Sequence, residues 1–236
     1  MKGEDLWDIL FPQNIYCDVC GKYINESRKY GLCDHCIRHM NFESKVIDNE
    51  LDYSMAAMGY GVYERRLIFN LKYDGKTYIA RDIADIMYDA IFKQAMEEKG
   101  SPLLMADMII PVPLHKERMK TRGFNQSEKI AKYFGKKTGI PVRTDILRRN
   151  KNTNAQRALS QNQRIANMKN AFSVDIGKES CVAGKKILLL DDIYTTGATS
   201  KACAYALANV QEEKKPEKIY YISLLFAGNK NHLMVE

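Results

Sequence analysis

Along the chain the apolar positions switch between two periods. Leu67, Ile68 and Leu71 recur at helical spacing between Glu64 and Tyr73, and Ile79, Ile83, Ile86, Met87, Ala90 and Ile91 do so between Lys76 and Met96. Asp74-Gly75 separates these two helices. Met55 to Tyr63 reads as a strand, and the β-branched burst from Met108 to Leu114, stopped by prolines, reads as a strand entering a loop. A helix over Asn125 to Thr138 ends at Gly139, with Pro141 just beyond. Arg143 to Arg148 is a further short strand, Asn150 to Ala158 a polar loop, and Ser160 to about Asn170 a helix. The unbroken run Ile187 to Leu190 marks a buried strand over Lys186 to Leu190. A helix over Thr196 to Val210 and a strand over Lys218 to Phe226 follow. Strands alternating with helices predict an α/β fold with a parallel sheet and crossover helices.

The first fifty residues break this pattern. Cys17-Asp-Val-Cys20 and Cys33-Asp-His-Cys36 are two C-x2-C pairs separated by twelve residues. Such pairs present four thiolates to one tetrahedral Zn2+, each from a tight knuckle. About fifty residues bury too little apolar surface to fold alone, so a structural metal would supply the missing free energy. The expected boundaries are a zinc module at 1–50 and a larger domain at 51–236. His35 and His39 are possible substitute ligands, although four cysteines complete the shell; a redox dithiol pair is the weaker alternative. Cys181 and Cys203 stand alone and read as packing residues. Tyr16, Tyr23, Arg28, Lys29 and Tyr30 mix aromatic and basic side chains as nucleic-acid-binding ribbons do.

Composition narrows the class. Of 236 residues 45% are hydrophobic and 28% charged, which excludes a disordered or fibrous chain. The acidic start, Met-Lys-Gly-Glu-Asp, shows no signal peptide, and no apolar run approaches the roughly 18 residues of a membrane span. Metal-type cysteine spacing without a secretion signal points to a reducing, cytoplasmic location. The formal charge is +7, but Pro111 to Lys151 alone holds twelve basic and three acidic residues, leaving the remainder at −2. So concentrated a charge expects an anionic partner.

The chemistry sits after the buried strand. Ile187-Leu-Leu-Leu is followed by Asp191-Asp192, then Ile-Tyr, then Thr195-Thr196-Gly197-Ala198-Thr199 opening a helix. Backbone N–H groups and threonine hydroxyls at a helix N-terminus cradle phosphate, and the glycine allows close approach. Carboxylates repel phosphate and suit sugar hydroxyls or hydrated Mg2+. Together they describe a binder of a phosphorylated sugar. A Walker A loop is excluded because Gly197 is followed by Ala198, and Gly59-x-Gly61 lacks a third glycine.

The thirteen residues Ile187 to Thr199 resemble the phosphoribosyl pyrophosphate (PRPP) motif of type I phosphoribosyltransferases. With the cysteine module, Pro111-Val-Pro-Leu, Arg122-Gly-Phe-Asn-Gln126 and Asn152-Thr-x-x-Gln156-x-x-Leu159, nearly the whole chain resembles the ComF (ComFC) competence family. The resemblance implies a type I phosphoribosyltransferase-like parallel sheet flanked by helices, beside the zinc module. It further implies that Asp191 and Asp192 hold the ribose hydroxyls and that Thr195, Thr196, Gly197, Ala198 and Thr199 hold the 5-phosphate. By the same resemblance His115, Lys116, Arg118 and Arg122 lie in a pyrophosphate loop, and Arg148, Arg149, Lys151, Gln156 and Arg157 in a flexible loop. Mg2+ would accompany PRPP; single-stranded DNA and a competence helicase are the implied partners, in natural transformation. No sequence feature picks out an acceptor for the phosphoribosyl group.

Overall fold

A computed structural model describes residues 15–24, 28–97, 100–150 and 170–228. The second cysteine pair opens a short helix, α1 (Asp34–His39), and an edge strand β1 (Lys45–Val46) leads to β2 (Tyr53–Gly59). The chain turns at Tyr60-Gly61 into α2 (Val62–Tyr73), so the strand expected to reach Tyr63 ends four residues earlier. After the break, α3 (Ile79–Met87) widens into a π turn over Tyr88–Lys93 before a last α turn at Gln94–Glu97. Next come β3 (Met108–Pro111), α4 (Lys116–Arg122) and α5 (Gln126–Thr138). The strand expected over Arg143 to Arg148 is reduced to β4 (Leu147–Arg149), paired antiparallel with β5 (Phe172–Val174), while Val142 makes a lone parallel bridge to Ile109. The loop and helix expected between Asn150 and Asn170 fall almost wholly outside the described residues. The chain ends in β6 (Lys186–Tyr194), α6 (Ala198–Ala208) and β7 (Lys218–Phe226).

The five-stranded sheet has the order β1-β2-β7-β6-β3, parallel apart from β1. Alternation along β6 decides which layer each side chain joins. Leu188 and Leu190 pack with α2, α3 and α5 on one face. Ile187 and Leu189 pack with α6 and the β4–β5 hairpin on the other. Burial on both faces explains the unbroken apolar run in the sequence.

The cysteine module does not stand apart. Cys17, Val19, Leu32, Cys36 and Met40 join the same buried cluster as α2 and α3. Asn70 Nδ2 donates to the Asp18 carbonyl at 2.6 Å, and Tyr30 Oη donates to Asp89, in the π turn, at 2.7 Å. Among the described residues no helix is long and apolar enough to cross a membrane.

Candidate functional site

The two neighbours of β6 release it at different points. Pairing with β3 ends at Pro111–Leu190, whereas pairing with β7 continues to Tyr194–Phe226. The sequence pattern placed the strand end at Leu190 because polar residues begin there; the β7 ladder carries it four residues further. Asp191 and Asp192 therefore line a gap at the carboxyl ends of β3 and β6. The helices after those strands, α5 and α6, leave on opposite faces. That divergence opens the crevice where parallel sheets bind ligands.

Both carboxyls are buried. Asp191 Oδ1 accepts from Ser127 Oγ at 3.1 Å and from the Asp192 amide at 2.9 Å. Asp192 forms an ion pair with Lys72, from the last turn of α2. Burial, reinforced by the charge of Asp192, pushes the Asp191 carboxyl up from an ordinary value of 3.8 to about 7. An acid with a raised folded-state pKa favours folding below its unfolded value and loses that contribution as pH rises through the folded value. Between about pH 4 and pH 7 Asp191 thus becomes a liability for the free protein. Asp191→Asn keeps an acceptor for Ser127 and is expected to stabilise the protein above pH 7 by on the order of 1–4 kcal/mol, with no gain at pH 4. Urea denaturation at the two pH values measures this; an equal effect at both would contradict it.

Beyond the acids the chain turns at Gly197 into α6. Gly197 takes φ +75°, and a Cβ there would lie 2.5 Å from the Tyr194 hydroxyl, so glycine is required by both conformation and space. Tyr194 is fixed by stacking on Phe226, ring centroids 5.7 Å apart. Ser200 Oγ donates back to the Gly197 carbonyl at 2.9 Å. Thr195 and Thr196 stand exposed, with Ala198 and Thr199 in the first turn of α6.

The basic residues divide. His115 caps α4, its Nδ1 accepting from the Glu117 amide at 3.3 Å, and Lys116 and Arg118 follow on that helix. Arg122 donates to Gln126 Oε1 and lies over the Tyr73 ring at 5.3 Å. Arg149 packs over Phe172 at 5.3 Å, half-buried, and feels the charges of Arg118 and Asp191. Arg148 turns away to an ion pair with Asp175 at 3.3 Å. Lys151, Gln156 and Arg157 lie outside the described residues. Sequence reasoning missed Lys72 and Ser127. Nothing local distinguishes Lys72 from solvated lysines, but Asn125-Gln-Ser127 at a helix start marks a cap: Asn125 accepts from the Ser127 amide and donates to the Val112 carbonyl.

The four cysteine sulfurs lie within 4.8 Å of one another. Cys20 and Cys33 are 3.7 Å apart. Tetrahedral Zn–S bonds of about 2.3 Å imply sulfurs roughly 3.8 Å apart, so the cluster fits zinc. Gly21, at φ +72°, closes the first knuckle by donating to the Cys17 carbonyl. His35 and His39 instead stack on each other, 4.2 Å between centroids, and beside Tyr63.

No family model matches the chain. Competence protein F of Haemophilus influenzae is 30% identical over 193 residues, covering 79% of this chain and 81% of the relative. The chain belongs to the competence protein F family. DNA utilization protein YhgH of Salmonella typhimurium is 30% identical over 60% of the chain and 59% of its own length. Competence protein ComFC of Bacillus subtilis is 34% identical over 42% and 38%. The chain is also similar to parts of solved structures. Glutamine PRPP amidotransferase from B. subtilis has a TM-score of 0.36 at 19% identity, covering 61% of this chain and 26% of that one. Hypoxanthine phosphoribosyl transferase of Trypanosoma cruzi has 0.35 at 13%, covering 64% of each.

Proposed function

We propose that this competence protein F family member binds PRPP at Asp191–Thr199 and transfers its phosphoribosyl group to an acceptor base or amine during DNA uptake. The observation that carries the reading is the buried acid pair running directly into the Gly197 cradle at the α6 N-terminus. In it, the α6 amides and Thr195 to Thr199 hold the 5-phosphate, and Asp191 and Asp192 accept from the ribose hydroxyls. Lys116, Arg118, Arg122 and Arg149 face the pyrophosphate. The C1–O bond to pyrophosphate breaks, a C1–N bond to the acceptor forms, and the acceptor's proton leaves to solvent. Positive charge grows on the ribose as pyrophosphate departs, and the basic residues stabilise the departing anion.

Mg2+ fits the same donors: Asp191 has a carboxylate oxygen beyond the two bonds to Oδ1, and the crowded acid pair favours a cation. Bound there, Mg2+ would neutralise charge on the pyrophosphate and ribose oxygens. The cysteine cluster serves as structural zinc, with residues 1–50 as the metal-dependent part and 51–236 as the transferase-like part.

A thermal shift with PRPP and Mg2+ tests the reading. Ligand at about 100 times its Kd adds roughly 2.7 kcal/mol of stability, which Asp191→Asn should abolish while raising the ligand-free baseline. Absence of a PRPP-specific shift in the wild type overturns the pocket.

A second reading, a non-catalytic single-stranded-DNA factor regulated through the PRPP pocket, is favoured by the Tyr16–Tyr23 pair. These rings are exposed on the module, edge to face at 6.3 Å. Binding that falls steeply with salt is its signature.

A further inference from the structure

The last turn of α2 sends a cation into the acid site. The Lys72 and Asp192 side chains are 17% and 8% exposed, whereas those of a surface pair of the same kind, Lys137 and Asp85, are 39% and 32% exposed. Burying both charges carries a desolvation cost that a lysine turned to solvent would avoid, so the pair answers a need of the acids. Two adjacent buried carboxyls require a positive neighbour, and the field of the Lys72 ammonium reaches Asp191 as well as Asp192. The ammonium is also favoured from its own side. A helix C-terminus attracts a cation, and Lys72 lies in the final turn of α2. Tyr73, the next residue, lies under Arg122, which bonds Gln126 beside Ser127, the partner of Asp191. The ends of α2 and α4 and the start of α5 are thus tied together around the acids.

We infer that Lys72 is a placeholder cation, whose ammonium fills the place at Asp192 that a divalent metal would take and keeps the acid pair free of metal until it is displaced. An ammonium and a divalent ion a few ångströms apart repel by enough to cost more than about tenfold in affinity even at the dielectric constant of water. One carboxyl therefore holds one or the other. The identity of the displacing metal, Mg2+, rests on the PRPP reading above; the block itself rests on the Lys72–Asp192 pair. In that reading the metal enters with the ligand, whose anionic groups take the displaced ammonium.

Mn2+ is the probe, titrated into the zinc-loaded full chain without PRPP at neutral pH and fixed ionic strength. Electron paramagnetic resonance counts the free ion. Wild type and Lys72→Arg, which keeps the positive charge, should leave Mn2+ in solution. Lys72→Met and Lys72→Gln should each hold a single Mn2+ at least about tenfold more tightly, and Mg2+ should displace it. Mg2+ should also raise the thermal transition of these two variants and leave that of the wild type in place. Lys72→Met/Asp192→Asn lacks both the block and its carboxylate and should hold no Mn2+, which separates an opened metal position from a loosened fold. Where Lys72→Met fails to fold, Lys72→Gln carries the measurement, because its amide hydrogen bonds Asp192. Mn2+ held by the wild type or by Lys72→Arg as tightly as by Lys72→Gln overturns the placeholder, and so does a folded neutral variant that gains no metal. PRPP takes no part in the titration, so a failed placeholder and a failed PRPP pocket are told apart.

Discussion

Stripping the metal from Cys17, Cys20, Cys33 and Cys36 is expected to unfold more than the N-terminal module. Structural zinc contributes an apparent 10–16 kcal/mol or so to small zinc modules at pH 7, comparable to the roughly 5–15 kcal/mol that holds a whole domain together. Here the loss would propagate, because Val19, Leu32, Cys36 and Met40 belong to the cluster that also contains Leu67, Leu71 and Ile83. The Asn70 bond to the Asp18 carbonyl and the Tyr30 bond to Asp89 would go with the knuckle that positions them. Burial pushes the Cys17 and Cys36 thiols up, so protons compete with the metal and acid should release it. Colorimetric titration should find one zinc per chain. A strong chelator should lower and broaden the thermal transition followed by circular dichroism, and Cys36→Ser should do the same. An unchanged transition after complete metal removal would contradict the structural role.

Lys72→Met is expected to cost about 3–5 kcal/mol at pH 8, although the two side chains are similar in length. The Lys72 and Asp192 side chains are 17% and 8% exposed, so removing the ammonium strands a carboxylate where water cannot solvate it. Lys72 also lowers the Asp191 carboxyl, which would rise further without it. The Asp191 carboxyl would then take up a proton on folding over a wider pH range, so the variant's deficit should shrink as pH falls toward 5 and grow as it rises. The double variant Lys72→Met/Asp192→Asn removes the stranded charge and should recover most of the stability. Urea denaturation at pH 5 and 8 separates these outcomes. A deficit below about 1 kcal/mol at pH 8 would mean that the pair is screened as a surface pair is.

Much of the architecture was legible in the order of residues because its causes are local. The 3.6-residue spacing from Leu67 to Leu71 and from Ile79 to Ile91 places helices where they occur, interrupted at Asp74-Gly75. Ile187 to Leu190 reads as a strand buried on both faces, and it is. The C-x2-C pairs meet because each knuckle is a short-range turn and four thiols share one metal-sized space. Boundaries were less legible. Asp191 to Tyr194 looks like a loop by polarity but extends β6, because the β7 backbone supplies hydrogen-bond partners that no local pattern reveals. Val142, just before the strand expected from Arg143, bridges Ile109, and β4 itself begins only at Leu147.

At the site the division is sharper. The chain by itself determined the acid pair, the threonine-glycine turn after it and the four thiols, since each is a run of neighbours whose chemistry follows from their spacing. Only the tertiary structure decided that Lys72 holds Asp192, that Ser127 holds Asp191, that Arg149 packs on Phe172 within the field of Asp191 while Arg148 faces Asp175, and that Tyr73 lies under Arg122. These partners come from helices and strands far apart in the chain, brought together by the packing of α2 and α5 on one face of the sheet and the β4–β5 hairpin on the other. Side-chain pairing across layers depends on which way each element faces, and that is set by the whole core rather than by any segment of it.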